Sequence, residues 1–222
     1  MEKGRVEAFS DGVLAVAITL LVLDLHFDTA AGHAGVGQQL RDHWPAFAAY
    51  AVSFFQIGVI WVNHHALFSL AETIDRVAVF YNLLLLMFVT TIPFTTSTLA
   101  AFLRDGGSAE RGAVLLYGVP MTGMAIGFTL ILARMVNHGL LRQPVAATQG
   151  RIAVVRFGVG VLAYPLVTLI SLVWPPLMLI TVFVLAVYYM FDQTPIVGRS
   201  PAEETQSDRA LGVVDVRVDE TD

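Results

Sequence analysis

Seven polar side chains stand in stretches that otherwise read as hydrocarbon. They are Arg5, Ser10 and Asp11 in RVEAFSDGVLAVAITLLVL, Asn63, His64 and His65 in WVNHHALF, and Asn82 in YNLLLL. By type they could do three kinds of chemistry. Serine, carboxylate and histidine supply the members of a hydrolytic triad, paired histidines can hold a metal, and an Asp/His cluster inside a membrane can relay protons or hold an ion. Spacing removes the first two. Ser10 and Asp11 are neighbours in a helix, about 100° apart, and cannot stand in line with one shared histidine. His64 and His65 are adjacent rather than i, i+4, and no HExxH occurs. The chain has no cysteine, so thiolate sites are absent. His26, His33, His43 and His138 read as solvated or interfacial groups. With no nucleophile–base pair to assemble, the chain reads as a non-enzyme that has no catalytic residue, fixed metal or cofactor.

The elements that must position these residues are membrane helices. Of 222 residues 56% are hydrophobic and 14% charged, against about 25% charged in a soluble domain. The apolar residues come in blocks, and a helix crossing about 30 Å of hydrocarbon needs roughly 20 of them. Six segments are predicted to span: Val6–Leu25, Pro45–Leu70, Val77–Leu103, Ala113–Val136, Ile152–Val173 and Pro175–Phe191. The expectation is an all-α, polytopic membrane domain over 1–192, then an acidic, disordered cytoplasmic tail over 193–222. A cleaved signal peptide fits the first segment poorly, since Glu7 and Asp11 interrupt its positive region. Basic residues are too sparse and scattered for nucleic acid. Arginine replaces lysine everywhere but Lys3, beside abundant Ala, Gly and Val, a bias of GC-rich prokaryotic genomes. The expected location is therefore a prokaryotic plasma membrane, with a multi-pass topology.

Orientation follows from Lys and Arg near span ends. One set of ends holds Lys3, Arg5, Arg76, Arg134, Arg142, Arg151, Arg156 and Arg199, and the other Arg41, Arg104 and Arg111. Both termini are thus expected in the cytoplasm. Spans alternate in direction, so the polar groups of the first three fall at one depth in the inner leaflet. Two readings of that layer stay open: glue between helices, or a proton or ion site. Angle separates its members. At 100° per residue Arg5, Phe9, Gly12, Val16, Thr19, Leu20 and Leu23 form one stripe, while Asp11 shares another face with Glu7, Ala15, Ile18 and Val22. Gly123 and Gly127 add a GxxxG spacing, and the threonines of TTIPFTTST stand beside Pro93.

Arg5 followed by AFSDG and VLAVAITLLVL resembles the first-helix signature of the lysosomal and endosomal potassium channel family (transmembrane protein 175), in a prokaryotic form. WVNHHALF and YNLLLLMFVTTIPFTT are similar to its second and third helices, so the resemblance covers about the first hundred residues. It implies a six-helix subunit, assembled as a homotetramer in the lipid bilayer, whose first helix lines a central pore. It implies passive K⁺ conduction without a TVGYG filter, through positions corresponding to Val16, Thr19, Leu20 and Leu23, with permeating K⁺ near Val16 and Thr19. Val16 stands where the family often has Ile or Leu. On this reading Arg5, Phe9, Ser10, Asp11, Gly12, His64, His65 and Asn82 form the motif and its polar network. The Ser-Asp pair and Arg5 are expected to tie the pore helix to His64 or His65 and Asn82. The alternative is a proton- or cation-coupled transporter using the Asp11/His layer, and a non-conducting scaffold is a third reading.

Overall fold

The computed structural model describes residues 2–25, 35–105, 109–143, 145 and 147–191. His26, His33 and the expected tail from 193 onward lie outside them. The described residues form helices α1 (Lys3–Leu20), α2 (Val36–Asp42), α3 (Trp44–Ser69), α4 (Arg76–Thr90), α5 (Ile92–Asp105), α6 (Ala109–Asn137), α7 (Ala147–Phe157), α8 (Val159–Ser171) and α9 (Leu177–Met190). A 3₁₀ turn, Leu21–Asp24, extends α1.

Among the described residues, five helical stretches have the length and composition to cross a bilayer: Lys3–Asp24, Trp44–Ser69, Arg76–Leu103, Ala109–Asn137 and Thr148–Ser171. The sixth expected span is not among these five, although a shorter apolar helix stands in its place. The last predicted span is helical only over the 14 residues Leu177–Met190, about 21 Å at 1.5 Å per residue, less than the hydrocarbon thickness. Pro175 and Pro176 are spent on the turn that precedes it.

Two of the five stretches are interrupted by a turn residue. Arg76–Leu103 is interrupted at Thr91, two residues before Pro93, which removes an N–H from the ladder. The Thr90 and Thr91 hydroxyls donate to Met87 O and Phe88 O just upstream, at 2.9 and 2.7 Å. The other breaks at Gly158, between α7 and α8.

The core centres on α6, which packs against α4, α5 and α8. Its glycines permit this. A Cβ on Gly127 would stand 2.9 Å from Leu85 Cα, and one on Gly123 would enter the Phe88 ring. The GxxxG pair thus seats α4 on α6 within one subunit.

One end of the bundle is fastened through its turns. α6 ends in a Schellman arrangement, with Gly139 at φ +64° and Leu140 N–H bonding Met135 O. The chain then pairs with the α3–α4 turn: Glu72 N donates to Leu140 O, and Arg142 N to Leu70 O. Ala71 O accepts from Lys3 Nζ at 3.1 Å and from Arg142 Nε at 3.3 Å. The start of α1 is thereby fixed to both turns.

Asp75 divides its carboxylate between two tasks. Oδ1 caps α4 by accepting from Ala78 N at 2.9 Å, and Oδ2 accepts from Arg134 Nε and Nη2 at 3.0 and 2.6 Å. The Arg134 hydrogen bonds, then the cap, hold its carboxyl below the ordinary carboxylate range. A depressed folded pKa means that stability is present above the unfolded value and lost as pH falls through the folded one. Asp75→Ala is expected to cost about 1–2 kcal/mol, since it removes both cap and ion pair. Asp75→Asn, which keeps the cap, should cost less than about 1 kcal/mol. Thermal unfolding in detergent checks both, and the gap between parent and Asp75→Asn should close below about pH 4.

Candidate functional site

The inward face of α1 is Val6, Ser10, Leu14 and Ala17, continued by Leu21 of the 3₁₀ turn; all five are buried. Their spacing of three and four residues is one helical stripe, and it packs against α3 and α4. Ser10 is the polar member, and its burial is complete.

Three buried side chains meet there. Ser10 Oγ donates its single hydrogen to Val6 O at 2.8 Å. It therefore accepts from Asn82 Nδ2, at 2.8 Å. That leaves Asn82 Oδ1 to accept from His64 Nε2, at 2.9 Å. The bonds run in one direction, imidazole to carboxamide to hydroxyl to backbone carbonyl, and join α3, α4 and α1. His64 is further held by its ring, stacked on Phe68 with centroids 4.3 Å apart. Donors and acceptors match at every link, as burial away from water demands. The carboxamide in the middle carries no titratable proton, so the chain is suited to fixing helices and not to passing protons along.

The remaining members of the expected layer go elsewhere, which corrects the anticipated single network. Asp11 Oδ1 accepts from Trp61 Nε1 at 3.0 Å in an exposed contact, separate from Ser10. Asn63 Nδ2 donates to Val59 O and across to Tyr189 O, at 2.9 and 2.8 Å, and so belongs to the α3–α9 contact. Arg5 and His65 are exposed, with His65 beside Trp61 at 6.4 Å between ring centroids. The physical reason is helical angle: Asn63, His64 and His65 point about 100° apart and cannot all face α1. A Cβ at Gly12 would meet nothing within 4 Å, so no helix of the same chain requires that glycine.

The opposite stripe of α1 is left open by the described residues of the subunit. Arg5, Phe9, Gly12, Val16, Thr19, Leu20 and Leu23 are all exposed, Val16 to 57% and Leu23 to 71%. Thr19 Oγ1 lies 3.0 Å from Ala15 O and 2.9 Å from Val16 O. Its hydrogen is thus committed to the helix backbone, while its oxygen lone pairs remain available on the exposed face.

Sequence reasoning missed a second polar group inside the bundle. Ser53 Oγ lies 2.9 Å from Tyr117 OH and 2.8 Å from Thr96 Oγ1, and Gln56 Nε2 donates to Tyr164 OH at 3.0 Å. The available signal was Ser53 and Gln56, three apart on an otherwise apolar helix. Among the described residues no group of three or more His, Asp and Glu is placed to hold a metal.

The buried Ser10–Asn82–His64 chain and the exposed Asp11–Trp61 contact carry unequal expected costs. Asn82→Ala leaves the His64 donor unpaired and should destabilise by about 1–3 kcal/mol. Trp61→Phe, which removes one donor from a half-buried carboxylate in an exposed contact, should cost less than about 1 kcal/mol. Thermal midpoints in one detergent decide between them.

Similarity to known proteins agrees with this architecture. The family model described as "Endosomal/lysosomal potassium channel TMEM175" matches residues 5–93, which hold most of α1 and all of α2, α3 and α4. A Streptomyces collinus protein named as a potassium channel is 44% identical over 202 residues, covering 90% of this chain and 98% of that one. The rat endosomal/lysosomal proton channel TMEM175 is 36% identical over 47% of this chain and 23% of its own length. The crystal structure of a lysosomal potassium-selective channel TMEM175 homolog from Chamaesiphon minutus superimposes with a TM-score of 0.75 at 33% identity, covering 86% of this chain and 98% of that one. With a relative this similar over nearly its whole length, and the same helical architecture, this chain belongs to the TMEM175 family of cation channels, as a multi-pass membrane protein.

Proposed function

We propose that the protein is a passive K⁺ channel in which four six-helix subunits place α1 around a central pore. The sixth helix of each subunit is the short α9. One observation carries the reading: a continuous stripe from Arg5 to Leu23 lies open on the single chain, while the opposite stripe is fully used for packing. Its lower part includes Arg5, a charge that lipid tails would reject and a shared aqueous axis would accept. The names carried by the Streptomyces and Chamaesiphon relatives support the same ion. The distribution of Lys and Arg supports cytoplasmic termini in a plasma membrane.

The mechanism follows from side-chain chemistry. Four copies of Val16, Leu20 and Leu23 form apolar rings that can dewet and so gate the path. An ion passing them sheds part of its water. This costs less for K⁺ than for the smaller, more tightly hydrated Na⁺. Thr19 offers four hydroxyl oxygens whose lone pairs replace some of the lost water. Selectivity of this kind is moderate, because no cage of carbonyls compensates dehydration in full. The role of the Ser10–Asn82–His64 chain is to hold α1 at the rotation that presents this stripe. The coupled-transporter reading draws less support, since a relay through the polar layer would have to cross the Asn82 carboxamide.

Purified protein in liposomes is expected to pass K⁺ down its gradient faster than Na⁺ and without coupled proton movement; tight coupling to protons would favour a transporter instead. Thr19→Val should reduce the preference for K⁺ over Na⁺, read as a shift in bi-ionic reversal potential. Val16→Ala should widen the constriction and increase single-channel current.

A further inference from the structure

Away from α1, between α3, α6, α8 and α9, lies a small cavity lined by Gln56, Asn63, Phe128, Phe157, Tyr164 and Tyr189, among others. Its volume available to the centre of a water molecule is about 30 Å³, enough for about two waters. Gln56 is 2% exposed and Tyr164 0%. Their hydrogen bonds do not close. Gln56 Nε2 donates to Tyr164 OH at 3.0 Å, yet no described protein group donates to Gln56 Oε1, a buried acceptor. Since the Tyr164 oxygen accepts from Gln56, its own hydrogen also needs an acceptor, and none is found among the described residues. Reversing the amide does not remove the imbalance. Tyr164 would then donate to Oε1, and the Nε2 hydrogens would be left without an acceptor. Asn63 spends both amide hydrogens on Val59 O and Tyr189 O, so its Oδ1 is a further acceptor beside the same space.

An orphan acceptor and an orphan donor, both buried at the edge of a water-sized space, define their ligand. It must donate and accept at once, carry no charge and be very small. We infer that this cavity is a water-binding site, with a water that accepts from Tyr164 OH and donates to Gln56 Oε1, linking α3 to α8. A second donor bond from that water, or from a neighbouring one, can go to Asn63 Oδ1. A water held in this way makes the two to four hydrogen bonds that such sites require. The wall on the other side is Phe128, whose ring centroid is 6.4 Å from that of His64. The site is thus separated by one aromatic ring from the bonds that hold α1, and it does not depend on how the protein conducts.

A high-resolution structure of the full chain tests this. The expected result is a density peak within about 2.7–3.2 Å of both the Gln56 amide and the Tyr164 hydroxyl. Under xenon pressure the parent cavity should exclude xenon, and Gln56→Met, which removes the polar demand, should lose the peak. Tyr164→Phe, a gentler change, should lower the occupancy of the peak or shift it toward Asn63. A bare cavity in a map that resolves other buried waters, or xenon in the parent cavity, would overturn the inference. So would a peak unchanged in position and occupancy in Tyr164→Phe.

Discussion

Inside a bilayer a hydroxyl, a carboxamide and an imidazole have no water to turn to, so they must find one another. In this protein they do so at Ser10, Asn82 and His64, across three helices. The bonds have direction as well as length. Ser10 gives its only hydrogen to Val6 O, which fixes the orientation of Asn82 and in turn the protonated nitrogen of His64. Any rotation of α1 would strand at least one of these groups, at a cost of about 1–3 kcal/mol for each. Apolar packing between membrane helices carries no comparable directional penalty, because lipid tails are as apolar as the side chains they replace. The polar interruption in the first helix is therefore what sets its rotation.

The rest of the architecture supplies a frame against which that rotation has meaning. α6 is the post, and Gly123 and Gly127 bring α4, and with it Asn82, close against it. At one end of the bundle, Ala71 O gathers Lys3 and Arg142, and Asp75 gathers Arg134 while capping α4. These contacts fix α1 along its axis, whereas Ser10 fixes it about its axis. With both freedoms removed, the stripe from Phe9 to Leu23 is held away from its own subunit.

How much of this was legible in the sequence differs by residue. The depth of Ser10, His64 and Asn82 could be read from alternating span directions, and the separation of Asp11 from the Val16 stripe from angle alone. Asp11's actual partner, Trp61, could not be read, because an indole N–H in an apolar helix gives no signal that distinguishes a bonded tryptophan from a lipid-facing one. Asn63, His64 and His65 looked equivalent in sequence; only the direction from which α1 and α9 approach α3 assigns them to different contacts. Gln56 and Tyr164 lie 108 residues apart, and nothing local marks them as a pair. The sixth apolar segment also read as a full span by composition, while two prolines shorten its helix.

The sequence by itself determined that the chain is helical and membrane-embedded, and which residues of the first helix lie on a common face. Both follow from composition and from a fixed angle per residue. Only the tertiary structure decided which face of that helix is spent on packing and which is left open. That choice depends on partners supplied by α3 and α4, since a buried hydroxyl is stable only where a distant carboxamide arrives to donate to it.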